Sequence, residues 1–355
     1  MIGIAGVATA APGVPAGSAS ASAGSASASA GGSAPTAASA GHLTSLGIDE
    51  CATDVNNAGV VVTATHLYRA GKTQPLPAGL DSAALINDRG QIAGAVGNQA
   101  ALWTGKEIVE IAFAVVGDNY SYVTGLNERG DVVGVSGNSA DGSQHAFLWR
   151  TGTTENLDGL GPRSGAGGVN DRGEVVGYSY VGDRQQAVRW DAAGKPKALT
   201  ALGAKGGDSL ATNVNNAGVA VGYSYAAAGS GDLRAVEWSR SGRITDLNLP
   251  GSTYGTATDI NNRGQVVGVM INPVWATTSA PSSFVRQPGR PAVIVAPAAS
   301  PDGDTLTAVN DRGVAVGCDF KDSLTTATIW TPAKRAGCPG GPHVAPTPAA
   351  VVVKS

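Results

Sequence analysis

Short apolar runs recur along the chain with a period of two, and a polar joint separates each pair of runs. Three copies read AALINDRGQIAG at 83–94, VTGLNERGDVVG at 123–134 and ATDINNRGQVVG at 257–268. Apolar and polar residues that alternate in this way are typical of half-buried strands, and the 3.6-residue period of a helix is absent. Each copy therefore predicts two short strands joined by a turn.

The joint, Asn-x-x-Gly, occurs seven times. Its residues are Asn56 and Gly59, Asn87 and Gly90, Asn127 and Gly130, Asn170 and Gly173, Asn215 and Gly218, Asn261 and Gly264, and Asn310 and Gly313. A second Gly follows in six copies, and Thr63 takes its place in copy one. Successive Asn residues lie 31 to 49 positions apart while the joint keeps its length. Insertions therefore fall in loops of a repeat protein.

Asn-x-x-Gly between two strands predicts a tight hairpin. The Asn side chain can bond its own backbone, and Gly adopts the left-handed conformation at little steric cost. A Gly loop that cradles phosphate would need a following helix, which the pattern does not predict. We therefore interpret the seven joints as structural.

Two further strands follow the joint in each copy. The third strand ends at Trp103, Trp149, Trp190, Trp238 and Trp330 in five copies, with Tyr68 and Arg286 at the matching places in copies one and six. A turn and a fourth strand, such as ENLDGLG at 155–161, come next. Four strands in about 40 to 45 residues is the size of a propeller blade. The chain is predicted to be an all-β, seven-bladed β-propeller of four-stranded blades.

The last copy supplies three strands, through 326–332, and lacks a good fourth. HLTSLG at 42–47 matches ALTALG at 198–203, which is a fourth strand. The N-terminal strand is therefore predicted to pair beside 326–331 and close the ring, against the alternative of an open solenoid. Closure removes the exposed sheet edges that invite aggregation.

Composition adds bounds to this picture. The 355 residues include 51 Gly, 42% are hydrophobic and 14% are charged, with a net charge of −3. This balance gives no electrostatic case for nucleic acid, and no stretch approaches 18 apolar residues, so no membrane span is predicted. We expect a monomer with a propeller over 42–332 and a C-terminal tail over 333–355.

The first 41 residues are mostly Ala, Ser and Gly, and residues 1–48 contain no Asp, Glu, Lys or Arg. This composition predicts a disordered linker. Its opening carries Ala8-Thr9-Ala10, which is typical of a signal-peptide cleavage site. We interpret the segment as the trimmed remnant of an export signal, with an ordinary cytosolic start as the alternative.

Three cysteines, Cys51, Cys318 and Cys338, are too few for a disulfide scaffold, and neither metal-ligand spacing nor Cys-x-x-Cys occurs. No metal and no cofactor is predicted. One bridge near the closure is expected. We favour Cys318 with Cys338 over Cys51 with Cys338.

The joint and third-strand patterns together resemble a known family. VNDRGEVVGYS at 169–179 and HAFLW at 145–149 are similar to the HAF-repeat family of predicted extracellular bacterial proteins, and the likeness covers about residues 43–332. Only one copy contains His-Ala-Phe intact, and copies one and six depart most. The resemblance implies export and a repeat β-fold, and it implies no reaction or ligand.

No catalytic motif is present, and the four histidines, His42, His66, His145 and His343, are scattered. We expect them to have no chemical role. Five joints carry Arg before the first Gly, at Arg89, Arg129, Arg172, Arg263 and Arg312. These side chains could form a cationic ring that holds an anion. We favour pairing with the acids that precede them, such as Asp88 and Glu128.

Aromatic residues provide the best candidate binding surface. Tyr178, Tyr180, Tyr223 and Tyr225 recur in GYSY of copies four and five, and Trp275 lies in the longest loop after a second strand. Flat rings in rim loops suit sugar rings or apolar peptides. The alternative is that the Tyr residues pack between blades and that Trp275 covers its own loop.

Polar residues also occur on the innermost strand. Asp54, Asn213 and Asp259 stand two positions before the joint Asn, where other copies have Leu, Gly or Ala. They are candidates for an active site at the channel, which would make the protein a polysaccharide hydrolase or lyase. The sequence favours a secreted, noncatalytic binding or scaffold propeller whose extracellular ligand is a carbohydrate or a protein.

Overall fold

A computed structural model describes residues 41–203, 207–252, 254–271, 281–295, 303–321 and 324–333. In these ranges the chain forms 28 β-strands and no helix. The all-β prediction is confirmed. The predicted linker up to residue 40, the tail from residue 334, Trp275 and Cys338 lie outside the described residues.

The strands fall into sets of four, here called repeats 1 to 7, and each repeat carries one joint between its first and second strands. Repeats 1 to 3 comprise β2 (Ala52–Val55), β3 (Val61–Thr63), β4 (His66–Arg69) and β5 (Lys72–Pro75); β6 (Ser82–Ile86), β7 (Ile92–Val96), β8 (Gln99–Trp103) and β9 (Ile108–Glu110); and β10 (Tyr120–Leu126), β11 (Val132–Asn138), β12 (Ser143–Arg150) and β13 (Thr153–Leu157).

Repeats 4 to 6 comprise β14 (Arg163–Val169), β15 (Val175–Val181), β16 (Arg184–Trp190) and β17 (Pro196–Ala198); β18 (Ser209–Val214), β19 (Ala220–Tyr225), β20 (Leu233–Trp238) and β21 (Ile244–Asp246); and β22 (Tyr254–Ile260), β23 (Val266–Ile271), β24 (Pro281–Arg286) and β25 (Ala292–Ile294). Repeat 7 comprises β26 (Asp304–Val309), β27 (Ala315–Lys321), β28 (Leu324–Pro332) and the N-terminal strand β1 (Gly41–Ser45).

Strands within a repeat pair antiparallel with their neighbours, so each repeat is a four-stranded sheet. Repeats 5 and 6 are also joined by a single parallel bridge between Leu233 and Tyr254. In repeat 7, β1 pairs antiparallel with β28 from Gly41 opposite Pro332 to Ser45 opposite Thr328. The outermost strand of this sheet thus comes from the other end of the described chain.

The core lies between the sheets. Seven apolar clusters occur in the described residues, one for each pair of neighbouring repeats. In one of them Leu148 of repeat 3 packs with Trp190 of repeat 4, and in another Val316 of repeat 7 packs with Val55 of repeat 1. Each sheet therefore buries both faces against its neighbours.

Each joint Asn closes its own turn and contacts the next repeat. The Oδ1 atom of Asn170 accepts hydrogen bonds from the backbone N–H groups of Arg172 (3.0 Å) and Glu174 (3.1 Å). The first Gly of the joint is left-handed, with a φ of 76° at Gly173. The Nδ2 atom of Asn170 then donates to the carbonyl of Asn215 in the next repeat at 3.0 Å.

The same inter-repeat bond occurs at all seven joints, with donor–acceptor distances from 2.8 to 3.1 Å. The last bond runs from Asn310 of repeat 7 to Asn56 of repeat 1. All seven Asn residues are buried. The bonds therefore form a closed circuit, here called the asparagine ring.

A second set of bonds runs alongside this ring and corrects the expected pairing of joint acids with arginines. The residue after each joint Asn accepts the backbone N–H of its counterpart in the preceding repeat, as Asp171 does from Glu128 at 2.8 Å. All seven joints make this contact. The joint ion pairs instead use the residue after the Gly, in Arg129–Asp131 (2.5 Å) and Arg172–Glu174 (2.7 Å). The joint acids thus accept backbone hydrogen bonds and, in the described part of the chain, do not form ion pairs with the joint arginines.

The disulfide expectation is wrong. Cys51 is bonded to Cys318, with a Cα–Cα distance of 4.9 Å. Cys51 directly precedes β2 of repeat 1 and Cys318 lies on β27 of repeat 7, so the bond crosses the contact between the first and last repeats. Packing of these repeats brings together residues that are 267 positions apart, which closeness in sequence could not indicate.

We predict that Asn170→Ala lowers the free energy of unfolding by about 1 to 3 kcal/mol, because it removes three bonds within the turn and one inter-repeat bond from a buried site. Gly173→Ala should lower it by about 1 kcal/mol, because its left-handed backbone disfavours a side chain. Urea unfolding measures both changes. Asn156→Ala, at an exposed position, is the control, and a loss there equal to that of Asn170→Ala would contradict the prediction.

We also predict that Cys318→Ser lowers the free energy of unfolding by about 2 to 4 kcal/mol under nonreducing conditions, because the bond closes a long loop. Reductant should destabilise the unsubstituted protein by a similar amount and leave the variant unchanged. Mass spectrometry of a nonreduced digest should recover Cys51 linked to Cys318. A peptide that links Cys318 to Cys338 would contradict the assignment.

Candidate functional site

The two ends of the inner hairpins define two faces. The turns between first and second strands carry the joints, and we call this end the joint face. The start of each first strand and the end of each second strand lie at the other end, because the two strands are antiparallel. Seven of the eight tyrosines lie at this opposite end, here called the tyrosine face: Tyr120, Tyr122, Tyr178, Tyr180, Tyr223, Tyr225 and Tyr254.

The tyrosines form a row across repeats 3 to 6. Rings of Tyr120 and Tyr122 are nearly parallel, with an interplanar angle of 6° and centroids 6.5 Å apart. Tyr178 and Tyr180 meet edge to face at 5.9 Å, as Tyr223 and Tyr225 do at 6.4 Å. The Tyr178 hydroxyl of repeat 4 donates to Gln144 Oε1 on β12 of repeat 3 at 3.4 Å. This bond links the tyrosine-bearing ends of the two repeats.

Glycines opposite the tyrosines allow the rings to lie on the sheet. Tyr120 pairs with Gly137 and Tyr178 pairs with Gly165 in the strand register. A Cβ atom at Gly137 would lie 2.6 Å from the Tyr120 hydroxyl, and one at Gly165 would lie 2.6 Å from the Tyr178 ring. Any larger residue at either glycine would displace the ring above it.

The tyrosines differ in exposure. Tyr223 is buried, and its hydroxyl donates to Gln185 Oε1 at 2.8 Å. Tyr122 is 37% exposed, while Tyr178, Tyr180, Tyr225 and Tyr254 are half-buried. The expected binding residues thus fall into two groups. Tyr223 packs between repeats, whereas Tyr180 and Tyr225 keep part of their surface exposed.

Burial keeps the hydroxyls protonated. It raises the pKa of Tyr122 to about 12 and also raises the pKa values of Tyr178 and Tyr223. The guanidinium of Arg163 lies 4.1 Å above the centre of the Tyr180 ring, a cation–π contact that holds the ring in place. The face therefore presents neutral rings and hydroxyls with fixed geometry.

A pocket adjoins the row between repeats 3 and 4. Its volume is about 320 Å³, and Leu160, Pro162 and His145 are among the residues that line it. Leu160 is 36% exposed, and its backbone N–H donates to Ser179 Oγ at 3.0 Å, next to Tyr178 and Tyr180. The tyrosine face thus combines an aromatic row with a concave surface.

The predicted channel residues lie on the inner strands, beside a bulge that all seven repeats share. The structure brings Asn213 and Asp259 together, since Asn213 Nδ2 donates to Asp259 Oδ1. The other oxygen of Asp259 accepts the backbone N–H of Val309 at 2.7 Å. One oxygen of Asp54 accepts the N–H of Ile86 at 2.9 Å. Both carboxylates therefore tie one repeat to the next.

Both channel carboxylates resist ionisation. Burial raises the pKa of Asp54 to about 7, and the charge of Asp259 contributes to the rise. Burial also raises the pKa of Asp259. The inner strands of neighbouring repeats pack closely here, since a Cβ atom at Gly168 of repeat 4 would lie 2.3 Å from Asn213 Oδ1 of repeat 5. Crowding by the inner strands therefore accounts for the shifts.

His145, which the sequence left without a role, takes part in a polar cluster. Its Nδ1 atom lies 3.2 Å from Asp118 Oδ1, and Asp118 Oδ2 accepts the Ser136 hydroxyl at 2.6 Å. Ser136 and His145 face each other in the strand register. The cluster ties the loop before β10 to repeat 3.

Two properties concern only the part of the chain that the structure describes. No group of three or more His, Cys, Asp or Glu side chains there is placed to hold a metal ion. No helix there is long and apolar enough to cross a membrane.

The sequence analysis missed Tyr120, Tyr122 and Tyr254. They lie at the start of first strands, whereas the repeated GYSY motif pointed to the loops after second strands. Antiparallel pairing places these two ends side by side, so the alternating Tyr120-Ser121-Tyr122 segment could have indicated the extension of the row.

No protein-family model and no curated protein matches this chain. Among solved structures, it is similar to a streptogramin B lyase at 12% identity and a TM-score of 0.53, with 82% of this chain and 98% of the other covered. It is also similar to a catalytically inactive virginiamycin B lyase from Staphylococcus aureus, solved with quinupristin, at 11% identity and a TM-score of 0.53, with 82% and 99% covered. These are propeller-type proteins, and the likeness shows the fold alone.

We predict that Asp54 makes stability depend on pH. Its folded pKa of about 7 exceeds the ordinary value of 3.8, so between these values the folded protein holds a proton that the unfolded chain has lost. Stability should therefore fall as pH rises from about 4 to about 7 and then level off. Urea unfolding across this range should give a shallower decline for Asp54→Asn. Asp183→Asn, at an exposed turn, is the control, and parallel curves for all three proteins would contradict the prediction.

Proposed function

We propose that this chain is a secreted, noncatalytic binding propeller whose extracellular ligand, a carbohydrate or a protein, docks on the tyrosine face. The observation that carries the proposal is the row of seven tyrosines in four adjacent repeats. Clustered, partly exposed aromatic rings are typical of recognition sites, because rigid rings lose little conformational entropy on binding. The adjoining pocket adds the concavity that ligand sites commonly have.

The proposal includes a ring of seven blades closed by the N-terminal strand. Pairing of β1 with β28 supports this closure, and so does the bond from Asn310 to Asn56 that completes the asparagine ring. The apolar cluster shared by repeats 7 and 1 is a further support. A closed ring holds the tyrosine-bearing strands in fixed positions, which favours a preformed site.

We include Trp275 in the proposed binding surface on the basis of the sequence. Trp275 lies outside the described residues, in the segment that follows β23 of repeat 6. Tyr254, at the start of β22, lies beside the end of β23, since it pairs with Ile271. This adjacency supports Trp275 as an extension of the tyrosine row.

Hydrogen bonding at the axis favours a noncatalytic role. The carboxylates of Asp54 and Asp259 accept backbone N–H groups of neighbouring repeats, so they act as structural links. The alternative is a polysaccharide hydrolase or lyase that uses these acids. Incubation with a panel of polysaccharides separates the two, because an enzyme would release new reducing ends and a binding protein would not.

Secretion rests on two supports. Disulfide bonds persist in oxidising compartments, and Cys51 is bonded to Cys318. The resemblance to the HAF-repeat family implies the same location. We propose that the chain belongs to that family.

A binding screen with neutral glycans and extended peptides tests the proposed site. Tyr180→Ala and Trp275→Ala should each lower the affinity for the best ligand by about tenfold, because aromatic anchors dominate contacts of this kind. The thermal midpoint of Tyr180→Ala should change little, since this side chain is only half-buried. Asn170→Ala is the matched control. It should lower stability and keep the affinity per folded molecule, and the reverse pattern would refute the assignment.

A further inference from the structure

Arginines concentrate on the joint face of repeats 3 to 5. This group, here called the arginine arc, lies at the end of the sheets opposite the tyrosine face. Its members are Arg129, Arg150, Arg172, Arg189 and Arg240.

The first part of the arc surrounds Gly173. A Cβ atom there would lie 3.1 Å from Nη2 of Arg129 and 3.3 Å from Nη2 of Arg150, so two guanidinium groups converge on one glycine. Asp131 pairs with Arg129 at 2.5 Å. The Nε and Nη2 atoms of Arg150 have no hydrogen-bond partner among the described residues. Asp131 thus pairs with one of these two guanidinium groups.

The second part surrounds Gly218 and has a larger excess of charge. Glu174 pairs with Arg172 at 2.7 Å and with Arg240 at 3.7 Å. Arg189 donates instead to the carbonyl oxygens of Gly218 (2.9 Å) and Arg240 (3.3 Å). One carboxylate therefore lies near three guanidinium groups and forms ion pairs with two of them.

Nearby acids do not balance this charge. Glu128 and Asp171 belong to the joint circuit, and each accepts a backbone N–H of the preceding repeat. Burial lowers the pKa of Arg189, and the charges of Arg240 and Arg172 lower it further, against the opposing effect of Glu174. A cationic surface remains on a chain whose net charge is −3, because the side chains of Arg129, Arg172 and Arg240 are 46%, 37% and 65% exposed.

We propose that the arginine arc binds an acidic polysaccharide through carboxylate groups on successive sugars. The planar guanidinium fork matches a carboxylate in geometry and charge. Two cationic centres on adjacent repeats suit a chain that carries several anions. Single-stranded nucleic acid is disfavoured because its binding sites add aromatic side chains that stack on bases, and the described tyrosine row lies on the other face. This site is separate from the proposed tyrosine site.

Titration with polygalacturonate by calorimetry tests the proposal. Arg129→Gln and Arg172→Gln should each weaken binding by about fivefold or more, because each removes a charge-assisted contact. Added salt should weaken binding as well. Arg312→Gln is the matched control, because it changes the same joint position in repeat 7, and it should leave the affinity unchanged. Thermal melts establish that each variant is folded.

Glu174→Gln provides a test with the opposite sign. It removes the carboxylate that competes for three arginines, so affinity for polygalacturonate should rise by about threefold. A purely structural role for Glu174 would not raise affinity. Tyr180→Ala should have no effect, which separates this site from the tyrosine face. Absence of binding, equal losses for Arg129→Gln and Arg312→Gln, or tighter binding of single-stranded DNA than of polygalacturonate would overturn the proposal.

Discussion

The structure depends on the buried amide of the joint asparagine. In repeat 4, Asn170 Oδ1 accepts two backbone N–H groups, while Nδ2 donates to the carbonyl of Asn215 and to Glu174 Oε2. This set uses every hydrogen-bonding position of the side chain. Aspartate lacks the donor, and glutamine would place the amide one bond further out. Because an unpaired buried polar group is costly, the joint stays constant while the loops around it vary.

This constraint separates stability from recognition along a single strand. One end of β10 leads to Asn127 of the asparagine ring, and the other end begins at Tyr120 of the tyrosine row. The joint asparagines have little freedom, because each one bonds to the next repeat. Side chains at the opposite end meet loops of different lengths, so they can change without disturbing the ring. The two faces can therefore acquire different surface chemistry.

Local features were predictable from the sequence, and contacts between repeats were not. Spacing of Asn and Gly predicted the turn because all its bonds lie within about five residues. The bond from Asn170 to Asn215 needs two repeats side by side, which spacing alone does not give. The predicted disulfide pairing was wrong for the same reason, since Cys51 and Cys318 meet only across the contact between repeats 7 and 1. At the candidate site, Tyr178 and Tyr223 were found as a repeated motif, and Tyr254 was missed because its partner strand lies downstream.

The channel acids show how close packing of the inner strands determines the role of the residues on them. Equivalent positions on the seven inner strands lie beside a shared bulge, where little space remains between neighbouring strands. Repeats 3 and 4 have Gly125 and Gly168, which let their strands approach closely. Asp54, Asn213 and Asp259 fill the space elsewhere and bond to backbone or to each other. Raised pKa values often indicate catalytic groups, but here burial within this packing is sufficient to produce them. The same close packing engages these acids in structural bonds, which is why we propose recognition at the joint face and the tyrosine face instead.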